Sequence, residues 1–470
     1  MNRWGWAAVF LIGLIVLATW LPDIASPLGN SHEGRILGRL ALHVANFWED
    51  GPLASRLASD LRPYAPEYYA HHPPLVNAIQ VLVSGVFGQG ETQLRLFGYF
   101  SGFASVIAMA ALMRVLRLRW IAVLIGLGVM AATNFFWIYG RLGAGYWLIV
   151  ALAALIVRLR DVEDPPKLLV VGTIMAAFAT AMLSWPGVMA AALLGLWLLR
   201  GRGLDRPTVY VGLAMVLGVV LDFAWILYAT QPSELAEHTA NRTSGLGFTL
   251  SEFLVRQWRW LTELLPAWYL LLAIPALAFA LVDRRTRFPA GLLLAITVGW
   301  TVGIPDGAYV HDFWTLMMLA PISLGAAVLV DRLLERTPMR LGLGLSLAMA
   351  SLLLAGFIAI VDGPVGGEYF DEPQLAGTVI EETRPAPGQD TVWVTDGIPT
   401  PRWASWYWDL PPRPLTPEDL EARPDSSDLV LVRLDRLPDW IPATVERSAL
   451  VVEGEYALVP FKVLAALVGS

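Results

Sequence analysis

Residues 73–88 read PPLVNAIQVLVSGVFG, an apolar stretch close to the length that crosses a bilayer, and whether it crosses decides the side on which every later loop lies. Counted as a span, it would put Arg114, Arg117 and Arg119 outside the cell, against the rule that cytoplasmic loops collect Lys and Arg. Left at the surface, it lets five arginine-rich loops fall on one side: 114–119, 158–167, 200–206, 284–287 and 332–340. The connections at Trp185-Pro186-Gly187 and 305–312 carry no Lys or Arg, and 139–145 carries only Arg141, so these face outward. Asn77, Gln80 and Ser84 recur at helical spacing on one side of the stretch, the pattern of an interfacial helix lying in the membrane surface.

Working outward, apolar stretches recur at about 95–113, 120–138, 145–157, 168–185, 187–199, 208–229, 261–282, 289–305, 313–330 and 340–361. The first helix, Met1 to Leu21, follows Asn2-Arg3 and has no small-residue cleavage site after it, so it reads as a span with a cytoplasmic N-terminus. About eleven transmembrane helices result. The residues between Leu21 and Arg95 then form a large external loop (22–94) with an amphipathic stretch near Glu33 to Glu49, and a second external loop covers 230–259. From residue 362 the composition turns to Pro, Asp and Arg, with short β-rich runs at Thr391–Thr395 and Leu429–Leu434. The fold class expected is an α-helical polytopic membrane protein with external juxtamembrane helices. It divides into a membrane domain (1–361) and a small external α/β domain (362–470), placed in the inner (plasma) membrane with any chemistry on the periplasmic or extracellular side.

Composition agrees: 56% of the residues are hydrophobic and only 16% charged. A formal charge of -7 gives no basic footprint, which sets nucleic acid aside as a partner. The absence of cysteine removes disulfides, thiolate metal sites and thiol nucleophiles.

The external segments gather the unusual polar residues: His32, Glu33, His71, His72, Arg95, Arg141, His311 and Asp312, with His238, Arg242, Arg256 and Arg259 in the second loop. A carboxylate near several cations at a membrane surface suits a reaction on a phosphate-bearing lipid. The carboxylate accepts the proton of an attacking hydroxyl, and the cations neutralise the leaving phosphate. As residues alone, Glu33 reads equally as a solvated charge, and Arg95 as a headgroup anchor at the start of a helix. His71 and His72 point in different directions and have no third ligand at a motif spacing, so no cofactor is specified and a divalent metal stays open.

Four passages then carry a likeness: NSHEGR (30–35), YYAHHPPL (68–75), RLFGYFSG (95–102), and GAYVHDFW (307–314) leading into LAPISLG (319–325). In this order they resemble the GT-C membrane glycosyltransferases, specifically glycosyltransferase family 39 with its protein mannosyltransferases and the aminoarabinose transferases that modify lipid A. The resemblance covers the membrane region. It implies a GT-C fold and transfer of a sugar from a polyprenyl-phosphate donor outside the cytoplasm, with inversion at the anomeric carbon and an acidic residue of the first loop as base. By that likeness the base is Glu33, with His32 where many members carry Asp. The lysine that some relatives place before Pro-Pro is His72 here. Where relatives often have an Ala-Arg stretch ending in Asp, this chain has Gly140-Arg141-Leu142-Gly143-Ala144-Gly145, so the contact of that Asp is missing or is supplied by Asp312.

The reading is a membrane glycosyltransferase in which Glu33 deprotonates the acceptor, Arg95, Arg141 and His72 hold the phosphate, His71 joins the substrate-binding residues, and His311-Asp312 line the cleft. Its partners are a polyprenyl-phosphate sugar donor, a lipid, glycan or protein acceptor, and membrane lipids. Two alternatives stand beside it: a lipid or sugar transporter, against which ionisable residues inside the spans are almost absent, Asp222 being the main exception, and a non-catalytic envelope assembly protein with a degenerate site. The tail is expected to bind the acceptor or a partner.

Overall fold

The structure, a computed structural model, describes residues 3–57, 59–60, 68–69, 72–142, 145–245, 247–336, 338–361, 372–395, 398 and 402–469. In chain order its main helices are α1 (Arg3–Trp20), α2 (His32–Ala54), α3 (Leu75–Phe87), α4 (Glu91–Val115), α5 (Trp120–Ala131), α6 (Asn134–Tyr139), α7 (Tyr146–Asp161), α8 (Lys167–Ala181), α9 (Trp185–Arg202), α10 (Arg206–Ala229), α11 (Pro232–Thr243), α12 (Leu250–Leu264), α13 (Ala267–Val282), α14 (Arg287–Gly303), α15 (Pro305–Val310), α16 (Leu319–Arg336) and α17 (Met339–Val361). Two compact units result. The first comprises Met1–Leu21, His71–Val76 and Phe97–Asp362, and the second Pro22–Ala70, Asn77–Leu96 and Gly363–Ser470. The expected domain junction at 361/362 adjoins residues 362–371, outside the described ones.

The first unit is a multi-pass helical membrane body. Among the described residues, Arg3–Asp23, Glu91–Val115, Arg206–Ala229 and Asp312–Arg336 are long and apolar enough to span singly, and two bent pairs raise the number to six. Four shorter apolar helices accompany them. Two expected spans are not single helices. The stretch 120–138 breaks by 76° after α5, where the Thr133 hydroxyl accepts from the Phe136 amide at 3.1 Å and starts α6. The stretch 261–282 begins inside α12, which a Thr249–Glu252 capping box opens. At Leu265-Pro266 the chain turns by 110° into α13. Most of the expected second loop is therefore helical, as α11 and α12.

With no hydrophobic drive between helices in lipid, close packing depends on small residues. A Cβ on Gly325 of α16 would stand 2.0 Å from the Ala276 carbonyl oxygen of α13, and one on Gly126 of α5 would stand 2.8 Å from the Ser323 carbonyl oxygen. The arginine-rich loops gather in two groups. Arg285 and Arg332 both pair with Asp283, Arg285 reaches Asp331 at 3.0 Å, and Asp331 accepts from the Arg119 amide at 3.0 Å. Arg202 donates to Asp205 at 2.6 Å and to the Leu159 carbonyl at 2.7 Å, tying the loop after α9 to the loop after α7. Loops that the charge pattern places on one side thus meet in space. Burial disfavours the Asp283 carboxylate, but hydrogen bonds from Arg285 and Arg332 outweigh it and hold its pKa below the ordinary range. The stability this contributes is present above about pH 4 and is lost as pH falls through the lowered value.

In the second unit, α3 departs from the surface-helix pattern in one respect: its polar side faces protein. Gln80 Nε2 donates to the Gln93 and Leu94 carbonyls, Trp48 Nε1 donates to Ser84 Oγ at 3.0 Å, and Asn77 Nδ2 donates to the Leu57 carbonyl at 3.0 Å. Leu82, Val86 and Phe87 point outward instead. Buried amides and hydroxyls need partners, and the neighbouring first-loop backbone supplies them. A small ribbon, β1 (Ser59–Asp60) with β2 (Tyr68–Tyr69), completes the loop. The tail supplies β3 (Val392–Val394), β4 (Pro412–Pro414), β5 (Leu429–Arg433), β6 (Val451–Glu453) and β7 (Tyr456–Pro460), in the order β4-β3-β5-β7-β6. Strands β4, β3 and β5 are parallel, whereas β7 is antiparallel to both β5 and β6. Trp393, Val430, Val432, Val459 and Phe461 fill its core, the expected small α/β fold.

Replacing Gly325 by leucine forces α13 and α16 apart and should destabilise the detergent-solubilised protein by roughly 2 kcal/mol or more. Gly344→Ala, where an added Cβ meets nothing within 4 Å, is the control. Equal thermal midpoints for the two variants would refute this packing.

Candidate active site

Glu33 lies in the first turn of α2, whose N-cap is Ser31 with its hydroxyl accepting from the Gly34 amide at 2.8 Å. Only glycine fits at 34, because a Cβ there would stand 2.1 Å from the Gly29 carbonyl oxygen of the incoming chain. A carboxylate at this place meets the positive end of the helix. It is 2% exposed, which excludes the solvated-charge reading. Its partner is Arg95 on α4, 1% exposed, with Nε at 3.4 Å from Glu33 Oε2. The same guanidinium donates to the Ser26 carbonyl at 2.5 Å and the Ile24 carbonyl at 3.3 Å. Arg95 is thus committed to Glu33 and to the backbone leading into it, and does not serve as a headgroup anchor. His32 is half-buried beside Glu33.

The remaining sequence candidates belong to the first unit. Arg141 sits in a short 3₁₀ helix, Gly140–Leu142, buried with its guanidinium 5.1 Å from the Trp137 ring. Asp312 opens another 3₁₀ helix, Asp312–Met318, and accepts from the Tyr139 hydroxyl at 2.6 Å. That bond joins the Asp312 segment to the turn that carries Arg141. The His311 ring lies 5.1 Å from Phe313 and stacks at 6.2 Å on Trp314, itself stacked at 4.6 Å on Trp300. The second loop reaches the same place: Gln257 donates to the Ala308 carbonyl at 2.6 Å, Arg256 lies 4.9 Å over Tyr309, and Phe248 stacks on Tyr309 at 4.3 Å. Trp314 is therefore part of a packed aromatic stack. His72 is exposed, and after it Pro73 and Pro74 are buried while the Leu75 amide donates to the Met182 carbonyl at 3.2 Å. His71 lies outside the described residues.

Within this unit a small cavity, lined by Ser101, Ser105, Tyr139, Tyr146, Trp147 and Leu316 among others, has about 10 Å³ of free volume, the size of one water. Among the described residues no three His, Asp or Glu side chains gather as a metal site. Two residues at these places had no signal in the sequence. Tyr139 reads as one more interfacial aromatic, and Tyr407, which joins the Glu33 segment from the tail, lies far away in the chain.

The same fold occurs in solved structures. The chain is similar to ArnT from Cupriavidus metallidurans in the apo state, with 12% identity, a TM-score of 0.59 and 99% of each chain covered. Against ArnT from the same organism bound to undecaprenyl phosphate the identity is 13% and the TM-score 0.63, over 98% of each chain. The archaeal oligosaccharyltransferase AglB from Archaeoglobus fulgidus, in complex with an inhibitory peptide and a dolichol-phosphate, matches at 12% identity and a TM-score of 0.52, covering 92% of this chain and 70% of that one. No protein-family model matches the sequence, and no curated protein matches it. The expected GT-C fold is the one observed.

Arg95→Leu removes the guanidinium paired with the buried Glu33 carboxylate and should cost about 3–5 kcal/mol of stability. Adding Glu33→Gln removes the buried charge as well, so the double variant should recover at least half of that loss in chemical denaturation. Additive losses would mean that the two side chains do not act as a pair.

Proposed function

We propose that this protein is a glycosyltransferase that moves a sugar from a polyprenyl-phosphate donor to an acceptor on the non-cytoplasmic face of the membrane. The observation that carries this reading is the buried, arginine-paired carboxylate of Glu33 at the first helix of the first loop, in a chain with the GT-C fold. Two of the solved structures with this fold hold undecaprenyl phosphate and a dolichol-phosphate, which supports a lipid-phosphate donor here.

In this mechanism the acceptor's hydroxyl or amine oxygen or nitrogen attacks the anomeric carbon, and the bond from that carbon to the phosphate oxygen breaks. The electron pair leaves with the lipid phosphate, and the acceptor's proton passes to Glu33. A single displacement inverts the anomeric centre. Arg95 keeps the carboxylate fixed, the role its contacts fit, rather than binding phosphate. His32 borders the base. Arg141 is the cation best suited to the leaving phosphate, because a buried guanidinium stabilises developing charge more strongly than a solvated one. The His71-His72 pair, His311 and Asp312 are the other substrate-binding residues, and a divalent metal on the donor phosphate stays open.

A second reading rests on Asp222, which is fully buried in α10 with neither carboxylate oxygen hydrogen-bonded among the described residues. Lone intramembrane carboxylates mark coupled transporters. Counterflow of lipid-linked sugar in proteoliposomes, abolished in Asp222→Asn, would favour transport.

For transfer, the expected outcome is that Glu33→Gln lowers the rate with labelled polyprenyl-phosphate sugars by about 10²–10⁴-fold. Arg141→Gln should lower kcat by about 10²-fold or more. A Glu33→Gln protein that keeps the parent rate with every donor the parent uses would remove Glu33 as base.

A further inference from the structure

Tyr407 lies in the tail helix Arg402–Trp408, remote in sequence from every residue of the first loop. Its hydroxyl accepts from the Leu28 amide at 2.7 Å and donates to Glu91 Oε1 at 3.0 Å. Leu28 is fully buried in the segment that leads into the Ser31 cap and Glu33. Glu91 opens α4, one helical turn before Arg95 and on the same face. One oxygen atom therefore bridges the chain that delivers Glu33 to the helix that delivers Arg95.

We propose that Tyr407 is a positioning residue through which the tail sets the geometry of Glu33 against Arg95. The proposal rests on the reading of Glu33 as the base. Other contacts leave the segment little freedom to absorb a shift. A Cβ on Gly377 of the tail would stand 1.9 Å from the Leu28 carbonyl oxygen, and one on Gly38 of α2 would stand 2.6 Å from the Trp403 amide nitrogen. Backbone thus meets backbone on both sides of Glu33, and Asn30 Nδ2 donates to the Tyr456 hydroxyl at 3.3 Å. Burial, and then the charge of Glu91, push the Tyr407 pKa well up, so the phenol keeps the proton it donates. Phenylalanine at 407 would keep the ring and remove the joint. The lead-in segment and α4 would then lose the oxygen that ties Leu28 to Glu91, and displacements of an ångström in a pair such as Glu33–Arg95 cost large factors in rate.

The test uses the full-length protein with polyprenyl-phosphate sugar as donor and compares Tyr407→Phe, Tyr456→Phe, Glu33→Gln and the Tyr407→Phe/Glu33→Gln double variant. Tyr407→Phe should lower kcat about tenfold or more, with the donor KM within about twofold and the thermal midpoint little changed. In the Glu33→Gln background it should cost nothing further, because it acts through that carboxylate. Tyr456→Phe, which removes the hydroxyl that accepts from Asn30, should leave kcat within about twofold. Hydrogen exchange at residues 28–35 and 91–95 should quicken in Tyr407→Phe, a readout that does not require turnover. Parent-like kcat in Tyr407→Phe, an equal loss in both backgrounds, or unchanged exchange at both segments would overturn the proposal. Full activity in Glu33→Gln would instead overturn the assignment of the base, and the exchange result would then decide the role of Tyr407 by itself.

Discussion

A carboxylate as buried as Glu33 persists only when its counter-charge is fixed beside it, and much of the second unit is organised to meet that demand. Arg95 supplies the charge and also closes the Ile24 and Ser26 carbonyls, so it pins the chain before the helix as well as the helix. Glycines at 34 and 38 let that helix press against its own lead-in segment and against the tail helix. Such a pair contributes little net stability compared with an apolar alternative.

The membrane unit answers a different constraint. Helices in lipid gain little by hiding apolar surface from one another, so they approach through small residues such as Gly126, Gly325 and Ala276. Their ends are tied by ionic groups, with Asp283 and Asp331 each serving more than one arginine or backbone amide. Arg141 and Asp312 sit in the 3₁₀ turns Gly140–Leu142 and Asp312–Met318, which the Tyr139–Asp312 bond joins. Irregular backbone of this kind places side chains where a regular helix would not.

Much of this was readable in the residues. Loop arginines predicted which loops share a side, and Arg119, Arg285 and Arg332 do converge. The short β-rich runs marked two of the tail strands to within about a residue. The orientation of α3 was not readable: periodicity finds a polar side, yet whether water or protein faces it depends on what packs there, and Gln93, Leu94, Trp48 and Leu57 do. The breaks at Thr133 and Leu265-Pro266 were also missed, because a hydropathy window averages across a cap.

The sequence by itself determined the class of the molecule, the segments that can live in lipid, and Glu33 and Arg141 as candidates, since these follow from composition, charge sidedness and local motif. Only the tertiary structure decided that Arg95 serves Glu33 and that Tyr407 holds both of their elements. The reason is separation along the chain. Glu33, Arg95 and Tyr407 lie on segments with no local pattern in common, and a hydrogen bond between such segments leaves no periodicity for a sequence to display.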